Sequence, residues 1–267
     1  METWEPDGEA EALAGATVVR QGEVIPPSLA RALREARAVV VLTGAGVSAE
    51  SGVPTFRSGR GANWDPTDAM RYASEWGYQR APRRVWEWYQ QRREMVAAAQ
   101  PNPAHRALAR LEKLKPRFHL ITQNVDDLHE RAGSQRVLHL HGRLFENWCS
   151  RERRVLSAEE LRGNSIPPRC ACGAYVRPGV VWFGEALPEE VLLAAESAAS
   201  GCDFFLAVGT SALVYPAASL IHRAPPTATR VVVNISPTDD VRVARYLLLA
   251  PAGSALPALV NAAFGLP

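Results

Sequence analysis

Short apolar runs recur along the chain, and stretches with helical spacing separate most of them. The runs fall at residues 38–42, 118–121, 137–141, 180–183, 204–208, 231–235 and 246–249. Several are nearly continuous rather than alternating, as a parallel strand covered on both faces requires. Between them, residues 27–36 (with Leu29, Leu33 and Ala36 in register), 104–114, 189–197 and 214–222 repeat apolar positions at helical intervals. Strands alternating with helices predict an α/β fold, a Rossmann-like doubly wound parallel sheet.

The residues that end each run are small or polar. They read Thr43-Gly44-Ala45-Gly46, Thr122-Gln123-Asn124-Val125-Asp126, His141-Gly142, Gly184-Glu185, Gly209-Thr210-Ser211 and Asn234-Ile235-Ser236. Open α/β sheets bind ligands beyond the carboxyl ends of their strands. The pattern therefore predicts one large ligand lying across that edge.

Two stretches break the rhythm. Residues 62–100 hold no strand run and are rich in Trp, Tyr and Arg, and residues 149–178 hold three cysteines and Pro167-Pro168. They predict a smaller inserted lobe, helical in its first part and zinc-ribbon-like in its second. The large domain is then 21–61, 101–148 and 179–267, with 1–20 as a flexible tail.

Composition narrows the function classes. The chain has 267 residues, 47% hydrophobic and 22% charged, with a formal net charge of +2. A near-neutral chain lacks the field of a dedicated nucleic-acid or polybasic membrane binder. The longest apolar runs are too short to cross a bilayer. Residues 1–14 are acidic, the opposite of a signal peptide's start. A soluble cytoplasmic protein without nucleic-acid or membrane partners is expected.

Gly44-Ala45-Gly46-Val47-Ser48-Ala49 fits the relaxed dinucleotide pattern G-x-G-x-x-A behind a strand, where a tight turn and a helix start face a pyrophosphate. Pro54 bars a long following helix, so the turn is used differently from that of a dehydrogenase. Residues 44–57, together with Thr122-Gln123-Asn124-Val125-Asp126-Asp127-Leu128-His129, His141-Gly142, Val181-Trp182-Phe183-Gly184-Glu185 and Gly209-Thr210-Ser211, closely resemble the sirtuins, NAD-dependent protein-lysine deacylases. The motifs stand in family order across residues 40–255.

The resemblance implies a set of roles. NAD would lie over Gly44, Ala45, Gly46, Ser48 and Ala49, with Phe56 and Arg57 shaping the nicotinamide pocket. Gln123, Asn124 and Asp126 would hold the nicotinamide ribose and carboxamide. Gly209, Thr210, Ser211 and Asn234 would take phosphate and adenosine, beside Ile235, Ser236 and Ala252. Ser236 stands where the family often has an acidic residue. The acyl oxygen would attack the ribose as nicotinamide leaves, and His141 would take a proton from a ribose hydroxyl, with Asn124 as its catalytic partner. An imidazole suits that task because its ordinary pKa lies near working pH. Val181, Phe183, Gly184 and Glu185 would pair with the acyl-lysine substrate peptide by backbone hydrogen bonds. Rival readings are a mono-ADP-ribosyltransferase on the same site and a non-catalytic binding module.

Residues 83–99 form a helix whose apolar arc, Val85, Trp88, Tyr89, Met95 and Val96, has Arg92 in its middle; Arg84 and Arg93 are expected in solvent. A cation on a buried face needs an anion. An internal carboxylate would serve. Tyr89-Gln90-Gln91-Arg92 also matches the Tyr-x-x-Arg pair of class III sirtuins, which implies a pocket for succinyl- or malonyl-lysine, with acetyl-lysine also accepted. Arginine can grip a carboxylate with two bonds, and the Tyr hydroxyl adds a third donor.

Family members carry two cysteine pairs that hold a structural zinc. Here Cys149 is followed at that spacing by Glu152, and the second pair is Cys170 and Cys172. Three thiolates with Glu152 or water could bind Zn²⁺, and a degenerate, empty site is the alternative. Cys202 reads as a core residue.

Overall fold

The computed structural model describes residues 15–54, 70–161, 163 and 165–265. In chain order the elements are β1 (Thr17–Arg20), α1 (Pro27–Glu35), β2 (Ala38–Thr43), α2 (Ala45–Ala49), α3 (Glu75–Arg80), α4 (Pro82–Ala98), α5 (Pro103–Leu114), β3 (Arg117–Thr122), α6 (Leu128–Arg131), β4 (Val137–His139), β5 (Gly142–Cys149), β6 (Val155–Leu156), β7 (Val176–Val180), α7 (Glu189–Ser200), β8 (Phe204–Val208), α8 (Leu220–Arg223), β9 (Thr229–Asn234), β10 (Tyr246–Leu249) and α9 (Ala252–Phe264).

Seven strands form one sheet in the order β1-β10-β9-β8-β2-β3-β4, every pair parallel. The chain runs outward from β2 through β3 to β4, then returns on the other side of β2 as β8, β9 and β10. That reversal at β2 is where a doubly wound sheet opens a crevice. Register levels the strand ends there, because Thr43 sits opposite both Thr122 and Val208.

Helices cover both faces, which explains the continuous apolar strands. On one face Leu29, Leu33, Leu108, Leu111, Leu256 and Leu259 of α1, α5 and α9 pack on Val39, Val41, Phe118, Leu120 and Phe204. On the other, Ala195, Ala199, Leu220 and Ile221 pack on Val40, Leu42, Ile121, Phe205 and Val232. Each fully buried Leu or Phe contributes about 1.5–3 kcal/mol.

Three strands, β6-β5-β7, form a separate antiparallel sheet in the smaller lobe. Here the structure departs from the sequence reading. The run expected at 180–183 ends at Val180, and the strand is β7, pairing antiparallel with β5 rather than joining the large sheet. Thr17–Arg20 lies at the edge of the large sheet against β10, so the expected tail does not extend through residue 20. The helix expected at 214–222 is a 3-10 turn at Ala217–Ser219 followed by α8.

Helix α4 buries two arcs rather than one. Val85, Tyr89 and Val96 face Leu144, Val180 and Trp182, while Trp86 packs with Cys149, Leu156, Cys170 and Val176. Met95, expected inside, is exposed. Arg93, expected in solvent, donates to Leu144 O (2.8 Å), Glu146 O (2.8 Å) and Asn147 Oδ1 (3.1 Å), tying the helix to β5. Arg84, Glu87, Gln91 and Glu94 keep the remaining stripe of the helix in solvent.

Candidate active site

The turn after β2 is pressed against the turn after β8. Gly44 N donates to Val208 O (3.0 Å) and Gly46 N to Gly209 O (2.9 Å). A Cβ on Gly46 would stand 2.7 Å from Gly209 Cα, and Gly209 itself has φ +60°. Both positions therefore require glycine. The packing presses the two turns together at the crevice, and their small residues form the backbone cradle over which the dinucleotide is expected.

A buried polar network floors this cradle. Ser48 donates to Asp126 Oδ2 (2.9 Å) and accepts from Asn124 Nδ2 (3.1 Å), which also reaches Gly44 O (3.2 Å). Gln123 Nε2 donates to Thr210 Oγ1 (3.0 Å), and Asn234 Nδ2 to Thr210 O (3.0 Å). Thus Gln123, Asn124, Asp126, Ser48, Thr210 and Asn234 form one constellation drawn from four strand ends. Burial raises the Asp126 carboxyl above its ordinary pKa, against the bonds from Leu128 N and Ser48. Beneath the floor, Thr43 donates to Thr122 Oγ1 (2.8 Å) and lies 3.0 Å from His129 Nε2. The His129 ring sits 4.9 Å from that of His105. Burial depresses both imidazoles, His105 to about 4, with Arg106 adding to the effect there. Both are neutral, hydrogen-bonded core struts; His129 closes the Thr122–His129 motif, while His105 carries no sequence signal of a site of its own.

The other expected contacts vary in placement. Ala45 and Ser211 are half-buried beside the cradle, Ala49, Ile235 and Ser236 are exposed, and Ala252 is buried in the large core at the start of α9. Phe56 and Arg57 lie outside the described residues.

Hydrogen bonds separate the two histidines of the β4 region. Both ring nitrogens of His139 face acceptors, Asn124 O at 3.1 Å and Glu130 Oε1 at 2.7 Å, so His139 is structural. His141 lies just past the strand, half-buried, with Nδ1 2.8 Å from Gln123 O. A carbonyl can only accept, so Nδ1 carries the proton and Nε2 keeps its lone pair. Burial lowers the His141 pKa, opposed by the bond to Gln123 O, and this keeps the ring neutral at pH 7. Such an imidazole is a base.

The segment after β7 runs from His141 toward the lobe. Val181 N donates to His141 O (2.8 Å) and Phe183 N to Ala73 O (2.9 Å). Phe183 and Gly184 are exposed. Glu185, expected to meet substrate, turns inward: Arg177 Nη1 and Nη2 donate to its two oxygens at 2.5 and 2.9 Å, and Trp182 N donates to Oε2 at 2.8 Å. This ion pair is almost fully buried. Nearby, Tyr89 is buried and its hydroxyl accepts from Trp182 Nε1 (3.0 Å). Arg92 lies one helical step on, its guanidinium 3.6 Å above the Trp88 ring, which stacks on Tyr72 at 5.0 Å. Tyr89 and Arg92 therefore share one wall of the lobe.

Cys149, Glu152, Cys170 and Cys172 gather their donor atoms within 4.8 Å of one another. Cys149 Sγ and Cys172 Sγ are 3.5 Å apart, and Glu152 Oε2 lies 3.8 Å from Cys170 Sγ. Tetrahedral zinc with bonds near 2.3 Å needs donors separated by about 3.8 Å, so this set has the size and softness to hold such an ion. Cys202 is buried in the large core.

A doubly wound sheet with small and polar residues at its strand ends and an inserted cysteine-bearing lobe defines a Rossmann-like α/β protein with a second, smaller module. The sequence pattern described as "Sir2 family" matches residues 44–216. NAD-dependent protein deacylase 1 of Pseudomonas aeruginosa is 49% identical over 241 residues, 87% of this chain and 96% of that protein. A solved Sir2 homolog–NAD complex is 42% identical with a TM-score of 0.81, covering 90% of this chain and 94% of the other. A structure of Sir2 bound to acetylated peptide is 30% identical with a TM-score of 0.74, covering 86% and 94%. The chain belongs to the Sir2 family, and it is an enzyme of that family. Among the described residues no helix is long and apolar enough to cross a membrane.

Proposed function

We propose that this chain removes acyl groups from protein lysines using NAD, with a preference for succinyl and malonyl groups and acceptance of acetyl. The observation that carries the reading is the His141 Nδ1 contact with Gln123 O, which leaves Nε2 with its lone pair and with no partner among the described residues, at the rim of a glycine-packed cradle. NAD supplies an electrophilic sugar carbon once nicotinamide departs, to which the acyl oxygen adds. The chain's own residues do the rest. The diphosphate lies over the turns that Gly44, Gly46 and Gly209 close, their own N–H groups being spent on Val208 O, Gly209 O and Val233 O, and Gln123, Asn124 and Asp126 orient the sugar and carboxamide. His141 Nε2 takes a proton from a sugar hydroxyl and passes it on. One water molecule is consumed as the C–N bond to the lysine amine breaks, and the products are nicotinamide, the free lysine and an O-acyl-ADP-ribose.

The acidic-acyl preference draws support from Tyr89 and Arg92 sharing one wall, a hydroxyl and a guanidinium suited to a carboxylate. Cys149, Cys170, Cys172 and Glu152 would hold Zn²⁺ as a structural ion, with no part in the chemistry. All four cysteines are free thiols, in keeping with action in a reducing cytoplasm.

Initial rates on acetyl, malonyl and succinyl peptides test the reading. Charge-assisted hydrogen bonds are worth about 1.5–3 kcal/mol, so Arg92→Met should lower desuccinylation about 10- to 100-fold and deacetylation far less. Equal losses on both peptides would assign Arg92 to the fold and remove the acidic-acyl preference.

A further inference from the structure

Trp182 stands between the substrate segment and the acyl wall, 2% exposed, and is held from several sides. Its backbone N–H donates to Glu185 Oε2 (2.8 Å), and the Arg177 guanidinium lies 3.5 Å from its ring. Arg177 is fixed in turn by both Glu185 oxygens and by donating to Val180 O (2.8 Å). Tyr78 closes another side, its ring 5.2 Å away. An indole clamped in this way has one direction for its N–H, and that direction is the Tyr89 hydroxyl, 3.0 Å off.

A phenol oxygen that accepts one N–H must send its own O–H elsewhere. Tyr89 is only 4% exposed, and its O–H donates to none of the described residues. A buried donor without an acceptor is costly unless a ligand supplies one. Burial also pushes the phenol up to about 12, so the group stays a donor at any working pH.

We propose that Trp182 is a positioning residue for acyl selectivity: its indole N–H, set by the Arg177–Glu185 clamp, occupies the Tyr89 oxygen and turns the Tyr89 O–H toward the carboxylate of an acidic acyl chain. The inference rests on the acidic-acyl reading and adds a residue that acts only through Tyr89. Phenylalanine at 182 would fill most of the space but give the phenol oxygen no donor, so the hydroxyl loses its fixed direction.

The test is the ratio of kcat/KM on succinyl to that on acetyl peptide, measured for both on one preparation. Trp182→Phe should lower that ratio about fivefold, the size expected for one directed hydrogen bond, mainly through KM for the succinyl peptide. In a Tyr89→Phe background the same change should have no further effect on the ratio. Replacing Trp182 by the isostere β-(3-benzothienyl)alanine, which keeps the shape and lacks the N–H, covers the case in which Trp182→Phe folds poorly; it should give the same fall. An unchanged ratio in both substitutions, or additive effects in the Tyr89→Phe background, overturns the inference. Arg92→Met in the same assay separates the two ideas. If Arg92→Met shifts the ratio and neither position-182 change does, only the Trp182 role fails; if none of them shifts it, the acidic-acyl reading fails as well.

Discussion

The edge of the large sheet and the inserted lobe are built by opposite strategies. At the sheet edge each site residue sits within a few positions of a strand end, and the parallel register delivers those ends to one line. In the lobe single side chains meet instead of strand ends: the Trp182 indole N–H reaches the Tyr89 hydroxyl at 3.0 Å, and Cys172 Sγ stands 3.5 Å from Cys149 Sγ. The edge is rigid because buried strands fix it. The lobe joins two small apolar clusters through individual polar bonds, such as the Arg177–Glu185 pair and the Arg93 contacts with β5. On the proposed function, chemistry common to every substrate belongs at the first, and discrimination among acyl chains at the second.

Removing the base tests that division most severely. His141→Ala should lower kcat on every acyl peptide by about 10²- to 10⁴-fold, the usual worth of a general base, while calorimetry finds NAD affinity little changed. A loss that depended on the acyl group would place His141 in discrimination and break the division.

The same contrast explains what was readable in the sequence. Strands β8 and β10 match their apolar runs residue for residue, and β2 and β3 extend theirs by one or two positions, because a strand buried on both faces is apolar throughout. The cradle was readable too, since Gly44 and Gly46 share one local motif. Strand β5 was not, because Arg143, Glu146 and Asn147 interrupt its apolar positions in a small sheet with one wet face. Helix α9 was hidden by near-uniform apolar content and by Pro257 within it, which erase the helical period. Strand β1 is only four residues long at a sheet edge. Trp182 stood inside a quoted motif, yet its bond to Tyr89 depends on tertiary placement that no spacing encodes.

Acid should find the large domain before the lobe. His105 and His129 are buried and neutral beneath the cradle, with folded pKa values below the unfolded 6.5. Below pH 6.5 the unfolded chain therefore binds more protons than the folded one, and stability falls with pH through that window. For His105, a drop from 6.5 to about 4 costs about 3 kcal/mol of stability once the pH has fallen to about 4, and costs nothing above pH 7. The described tryptophans (Trp76, Trp86, Trp88, Trp148 and Trp182) all lie in or beside the lobe, so with Trp4 and Trp64 replaced by Phe fluorescence reports the lobe, while far-ultraviolet dichroism is dominated by the larger sheet and its helices. Urea midpoints from pH 7.5 to 4.5 should fall, with dichroism leading fluorescence. The fall should be smaller in His105→Gln. Midpoints that do not change with pH would mean that the two histidines are not buried neutral.

Metal removal should act in the reverse order and with the smallest effect. The cluster of Cys149, Glu152, Cys170 and Cys172 packs on Trp86 and Leu156, away from the cradle. Glu152 is the exposed member and is shared with Arg154, whose Nε lies 2.8 Å from its Oε2, so it is the weakest of the four donors. Glu152→Ala should raise the zinc dissociation constant in chelator competition and lower the melting temperature by about 2–4 °C, as a loss near 1 kcal/mol does in a chain of this size. Glu152→Cys should tighten binding, because a fourth thiolate completes the tetrahedral set that structural zinc prefers. In both variants fluorescence should move before dichroism, and NAD affinity should stay where it was. Purified protein that carries no zinc, together with melting indifferent to chelator, would show that hydrogen bonds between thiols and the Glu152 carboxylate alone hold this corner of the lobe.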